Sequence, residues 1–345
     1  MIVALVKEIH LTPIPSPAGE GCIETLYFGG GTPSILGIDD LKIIFEALRK
    51  RFQFADDIEI TLEANPDDIT PHKLWEWGSA GINRLSIGIQ SFFDEELKWM
   101  NRVHSAADSL ICIEQIKESG FTNFSADLIY GSPLLTDDGW KKNVEILVEK
   151  NIPHISCYAL TVEPKTALHK MIAIKNREPV DAAKQAGQFV LLMDWMKQGS
   201  YEHYEISNFA KPGMRSRHNS SYWQGATYFG FGPSAHSFDG KNRRWNIANN
   251  AMYVQSLKNG IIPFEEETLT PTQHLNEYIM TALRTMEGLD LELVHSRFGV
   301  QNFEQLMAAS EKWKAGGKLN NENGKIILTT EGKLFADGIA ADLFF

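Results

Sequence analysis

One pattern repeats through the first two thirds of the chain: a short apolar run, a polar or glycine-rich break, then a stretch whose apolar residues recur at helical spacing. It predicts strands at Ile23–Phe28, Ile58–Glu63, Arg84–Gln90, Phe124–Ile129 and Ile155–Leu160, with a sixth at His203–Ser207. Amphipathic helices are expected between them at Asp39–Arg51, Pro71–Ala80, Ala106–Ser119, Asp138–Lys150 and Asp181–Gln198. The strands read as nearly continuous apolar runs, which suits a parallel sheet covered by helices, either an open doubly wound sheet or a barrel. Polar or glycine residues stand at the carboxyl end of almost every strand: Gly29 to Thr32, Glu63 with Asn65, Gln90 with Ser91, Asp127 with Tyr130 and Gly131, and Glu163 with Pro164. In a β/α barrel these ends converge on one mouth where active sites are built, so the preferred fold is α/β with a (β/α) barrel, closed or partial. Singly, each residue has an ordinary structural use, with Asp127 capping a helix, Glu63 solvated and Gln90 satisfying backbone groups.

The first strand stops at Gly29-Gly30-Gly31-Thr32-Pro33-Ser34. Three glycines let the backbone take φ > 0 and bring bare N–H and C=O groups against a small polar ligand, and Pro33 stiffens the exit. The same loop also serves as a tight strand-to-helix turn with no ligand. With 345 residues and 43% hydrophobic side chains, the chain can fill a large core and a smaller second one. A net charge of -11 with no basic block argues against nucleic acid and anionic membranes and favours small molecules. No apolar stretch approaches the roughly 18 residues needed to span a bilayer, and Lys7 and Glu8 interrupt the first apolar segment, so a cytoplasmic protein is expected. Cys22, Cys112 and Cys157 stand 90 and 45 residues apart, too far for a CxxC pattern, and read as reduced, buried thiols. From Thr270 onward the order is helix (Gln273–Met286), short helix (Leu289–Arg297), helix (Phe303–Ala315), a hairpin turning at Asn321 to Gly324, and a last helix (Glu331–Leu343), which resembles a winged helix. Residues 265–345 hold 13 acidic side chains against 7 Lys and Arg, the wrong sign for reading DNA.

Five ordered motifs resemble the radical S-adenosylmethionine (SAM) superfamily, and within it the oxygen-independent coproporphyrinogen III oxidase-like proteins. They are Tyr27 to Ser34, Glu63-Ala64-Asn65-Pro66, Arg84 to Phe92, Arg102-Val103-His104, and Asp127 to Gly131. A second block resembles the heme-chaperone (HemW) branch: Tyr204 to Ala210, His218-Asn219-x-x-Tyr222-Trp223, Gly230-Phe231-Gly232 and Ala235-His236-Ser237. The resemblance implies that the glycine loop, Gly30 with Gly31 and Thr32, meets the methionine end of SAM, and that Glu63 and Gln90 bond its polar edges. It further implies that Arg102 and Asp127 hold charged and hydroxyl groups of the nucleotide or of a second ligand, with Ala159 near the same mouth. His218, with Tyr222 and Trp223, is the candidate for heme contact, imidazole being a usual axial ligand, and the same histidine would equally serve as a packed structural residue. The implied organisation is a radical SAM barrel core over 1–210, a connecting segment over 211–265 carrying the His218 element, and a winged-helix-like domain over 266–345.

The family pattern includes a 4Fe-4S cluster held by a CxxxCxxC loop, which this chain lacks. Met1 to Ile9 resembles the helix that follows that loop, so the first strand and the cluster loop are expected to lie before residue 1. A sheet lacking that strand would expose a parallel edge and apolar core surface. Three functions stay open: a heme chaperone delivering heme to acceptor proteins, respiratory ones among them; an oxygen-independent coproporphyrinogen III oxidase; and a cluster-less pseudo-enzyme or fragment. In each case this chain is expected to be inactive in SAM cleavage.

Overall fold

The computed structural model describes residues 1–13, 22–164, 166–174 and 177–345. Helix α1 (Ile2–Leu11) precedes five parallel strands that lie side by side in chain order: β1 (Ile23–Phe28), β2 (Phe54–Ala64), β3 (Arg84–Gln90), β4 (Phe124–Tyr130) and β5 (His154–Ala159). Between β1 and β5 run α2 (Ile38–Arg51), α3 (Pro71–Ala80), α4 (Asp94–Trp99), α5 (Ala106–Glu118) and α6 (Asp137–Glu149), and α7 (Ala167–Ala173) and α8 (Ala182–Gln198) follow β5. The helices start where the side chains dictate. Thr70 and Thr136 each accept an N–H of the first turn, and Ser105 with Asp108 forms a capping box.

The strands are not the continuous apolar runs expected; they alternate. Leu85, Ile87 and Ile89 of β3, Ala126 and Leu128 of β4, and Ile155 and Cys157 of β5 enter the large core under the helices. Arg84, Ser86, Ser125, Asp127, His154 and Ser156 occupy the intervening positions and face the lumen of the curled half-barrel. The residues expected as a sixth strand turn back on themselves instead. Strands β6 (Glu202–Glu205) and β7 (Asn208–Ala210) form a hairpin, with β7 antiparallel to β5 and β6 outermost. Glu205 makes the turn, its Oε2 accepting from the Ser207 N–H at 3.0 Å and from Asn208 Nδ2 at 2.6 Å.

At the other side β1 pairs only with β2 among the described residues, so the parallel edge is open as expected. The expected bare apolar surface is partly covered. Leu26 and Phe28 pack with Ile9 of α1 and with Ile44, Ala47 and Leu48 of α2.

Helix α9 (Arg217–Trp223) leads to a small antiparallel sheet, β8 (His236–Phe238), β9 (Asn242–Asn246) and β10 (Phe264–Thr268), with α10 (Asn250–Lys258) before its last strand. The C-terminal part follows the winged-helix order: α11 (Pro271–Leu283), β11 (Leu289–Asp290), α12 (Leu291–Phe298), α13 (Val300–Ala315), the hairpin β12 (Leu319–Glu322) and β13 (Lys325–Leu328), and α14 (Ala336–Asp342). The hairpin turns on Asn323 (φ 53°) and Gly324 (φ 76°), both left-handed, as a two-residue turn that matches strand twist requires.

Charged pairs join this part to the half-barrel. Arg284, just after α11, donates to buried Glu205 at 3.1 Å and to Asp337 at 2.8 Å, while Arg215 bridges Glu202 and Glu287. Lys333 Nζ donates to His203 Nδ1 at 2.9 Å, and burial lowers both groups, Lys333 to about 8 and His203 to about 3. Glu205 is 1% exposed and Asp337 is 83% exposed, so the two Arg284 bonds are unequal. Arg284→Ala is expected to cost roughly 2–4 kcal/mol in urea unfolding, because a buried carboxylate loses its cation, and Asp337→Ala less than about 1 kcal/mol.

Candidate functional site

Six of the eight residues assigned to SAM line one cavity at the carboxyl end of the strands: Gly31, Thr32, Glu63, Gln90, Arg102 and Asp127. The strand register brings them there. Glu63 lies opposite Ser86, Ser86 opposite Ser125, and Asp127 opposite Ser156, so the lumen side chains of β2 to β5 rise in step. Ser125 Oγ donates to Ser86 Oγ at 2.9 Å, and Ser86 Oγ to Asp127 Oδ2 at 3.3 Å. Asp127 Oδ1 is buried and has no hydrogen-bond partner among the described residues. Burial pushes this carboxyl up to about 6, against the opposing effect of its serine bonds and of Arg84.

The loop after β1 is shaped by its glycines. Gly30 (φ 76°) and Gly31 (φ 89°) are left-handed, and a Cβ on either would meet nothing within 4 Å, so the backbone borders open space. Gly30 N–H donates to Glu63 Oε2 at 3.1 Å rather than lining the cavity. Gln90 is a strained point. It sits at φ 67°, where the β3–β4 register shifts, and non-glycine residues hold such a conformation only when their surroundings impose it. Burial lowers the half-buried Arg102 guanidinium from its ordinary value. Ala159 is not brought in. It ends β5 at the same mouth, but its methyl packs with the core under the helices.

A second group surrounds α9. The N–H groups of Arg217 and His218 both donate to the buried Glu59 carboxylate, at 3.1 and 3.0 Å, and Ser216 caps the helix. His218 Nδ1 is 2.9 Å from Thr25 Oγ1, its ring stacks on Tyr27 with centroids 4.7 Å apart, and Tyr222 meets it edge-on at 5.1 Å. Burial, then Arg84, lowers the imidazole to about 4, so it is neutral near pH 7. Trp223 is not beside it. That ring lies under the Arg284 guanidinium at 5.2 Å, and its buried indole N–H has no partner among the described residues.

Another cavity lies between α1 and the β8–β10 sheet, walled by Tyr228, Phe229, Phe231, Phe238 and Phe264 over Glu8. Burial raises that carboxyl, which accepts from Tyr253, the Gly232 N–H and Asn246 and so has a structural task.

The chain matches the Radical SAM superfamily over residues 16–147 and the HemN C-terminal domain over residues 269–335. The heme chaperone HemW of Bacillus subtilis (strain 168) is 31% identical over 93% of this chain and 85% of its own length, and that of Mycobacterium tuberculosis (strain ATCC 25618 / H37Rv) is 32% identical over 93% and 80%. This chain belongs to the HemW family of the radical SAM superfamily. The solved structure of coproporphyrinogen III oxidase (HemN) from Escherichia coli shares the fold, with a TM-score of 0.83 at 22% identity over 99% of this chain and 82% of that one.

The cysteines of this HemW-family chain do not fit an iron–sulfur cluster. Cys22 precedes β1, at the end of the sheet away from the mouth. Cys112 is buried in α5 with its thiol pushed up to about 12, and Cys157 is buried in β5 with its thiol raised further by burial and by Asp127. Among the described residues no three His, Cys, Asp or Glu side chains converge as a metal site, and no helix is long and apolar enough to cross a membrane. The residues do suit a polar ligand at the mouth, given the open glycine backbone, the Asp127 carboxyl and the Arg102 cation.

Sequence reasoning passed over Thr25, Tyr27, Glu59 and Ser86 as individual site residues. The every-second-residue polarity of Arg84, Ser86, Gly88 and Gln90 was the signal for one of them. Thr25, Tyr27 and Glu59 have no comparable signal, since their partners lie on a helix about 160 to 190 residues away along the chain.

The raised Asp127 group has a measurable sign. The folded protein retains a proton between 3.8 and about 6 that the unfolded chain releases, so the associated stability is full below pH 3.8 and is lost as pH rises through 6. Asp127→Asn is therefore expected to exceed the parent in stability at pH 8 by roughly 1–3 kcal/mol, the difference closing below about pH 4, as read from urea midpoints across that range.

Proposed function

We propose that this HemW-family chain is a heme chaperone whose half-barrel holds SAM at the glycine loop and heme at His218, for delivery to heme-accepting proteins. The observation that carries the heme assignment is the state of His218. Its imidazole is neutral at physiological pH, Thr25 engages Nδ1, and Tyr27 fixes the ring plane, which leaves Nε2 for an iron. Tyr222 supplies an aromatic edge for a flat macrocycle beside it. Trp223 contributes indirectly, by anchoring α9 against Arg284.

The SAM assignment rests on complementary chemistry at the mouth. Glu63 suits an ammonium, Arg102 a carboxylate, and the Asp127 oxygen a hydroxyl donor, while Gly30 and Gly31 let a ligand approach the backbone closely. No radical step is assigned to these residues, because the three thiols do not converge.

Titrating the chain with heme and following absorbance tests the first assignment. A saturable Soret shift at about one heme per chain is expected, weakened at least about tenfold by His218→Ala. Absence of saturation, or equal affinity in the variant, overturns it. For the second, Gly30→Val is expected to abolish SAM binding in calorimetry while lowering the melting temperature by only a few degrees, since the added side chain enters open space and the cost is the φ 76° backbone, about 1–2 kcal/mol. Unchanged SAM affinity would remove the glycine loop from the site.

A further inference from the structure

Tyr27 belongs to both candidate sites at once. Its hydroxyl donates to Glu63 Oε1 at 2.7 Å, and the other oxygen of that carboxylate accepts from the Gly30 N–H at 3.1 Å. Its ring stacks on His218 at an interplanar angle of 17°. The glycine loop is packed onto this pair, because a Cβ on Gly29 would lie 2.5 Å from the Tyr27 ring and 2.9 Å from Glu63 Oε1. Two residues earlier on the same strand, Thr25 Oγ1 meets His218 Nδ1, so β1 carries both the hydrogen bond and the stacking contact of the imidazole and then runs into the loop. Burial first, and the Glu63 charge next, raise the Tyr27 phenol, which keeps it a donor throughout the physiological range.

We propose that Tyr27 is a positioning residue that couples the two sites: an aminoacyl ligand whose ammonium engages Glu63 loosens the Tyr27 hydroxyl, the stacked His218 loses its fixed orientation, and heme is held less tightly. The coupling is one of binding free energies and is therefore reciprocal, so heme must weaken the cavity ligand by the same factor. It rests on the heme and SAM assignments above and gives the cavity ligand a task that needs no cleavage of it, namely setting when heme is released.

The test measures heme affinity with and without saturating S-adenosylmethionine. In the parent the ligand is expected to weaken heme binding about five- to tenfold. Tyr27→Phe keeps the ring and deletes only the hydroxyl, and should bring that ratio to within about twofold of one. Tyr27→Leu also removes the stacking partner, and should weaken heme binding with and without the ligand and shift the Soret maximum of the bound heme. A parent ratio of one, a tightening by the ligand, or a ratio unchanged in Tyr27→Phe overturns the coupling while heme binding dependent on His218 still stands. If His218→Ala binds heme as the parent does, the heme assignment fails and the coupling fails with it.

Discussion

A sheet whose strands alternate strictly has only one tolerable register, and the rest of this molecule depends on it. Leu85, Ile87 and Ile89 face the helices while Arg84, Ser86, Gly88 and Gln90 face the lumen, so a slip of one residue in β3 would drive a guanidinium into the apolar layer. The hydrophobic layer outside therefore enforces the polar layer inside. The mouth cavity is the upper rim of that polar layer, which is why Glu63, Gln90 and Asp127, far apart in the chain, end at one place.

The lumen buries several polar atoms. Among the described residues Thr61 Oγ1, two nitrogens of Arg84, Asp127 Oδ1, His154 Nδ1 and Asn208 Oδ1 are buried and find no hydrogen-bond partner. Arg84 is central among them. It lies 3.9 Å from Glu59, opposes the rise that burial gives Asp127, and adds to the lowering that burial gives His218 and His154, so one buried cation acts both at the mouth and beside α9.

Helix α9 and the C-terminal part are tied into the same frame. Glu59 of β2 takes the first N–H groups of α9, Trp223 at its end lies under Arg284, and Arg284 in turn holds Glu205 at the β6–β7 turn. The helix that carries His218 is thus fixed at one end by the barrel interior and at the other by the winged-helix-like part. This explains why Tyr222 reaches His218 and Trp223 does not: at four residues' spacing the first shares its face, while the next residue has rotated toward Arg284.

Much of this was legible in the chain alone. The five parallel strands, five of their helices, the glycine loop, the winged-helix order and the family were readable, whereas the short α4 and α7 were not, because long strand and helix periodicities and short motifs are local properties that survive without knowledge of the fold. The hairpin at Glu202–Ala210 was not, since its turn is made by the Glu205 side chain and its pairing by β5, a strand more than 40 residues earlier. Ala159 and Asp127 both sit near the end of a strand, and only the side each faces decides that one packs in the core and the other lines the cavity. The position of Tyr27 between Glu63 and His218 likewise belongs to the tertiary structure. Sequence determines which residues have the chemistry to bind, whereas long-range packing of β1, β2 and α9 decides which of them touch.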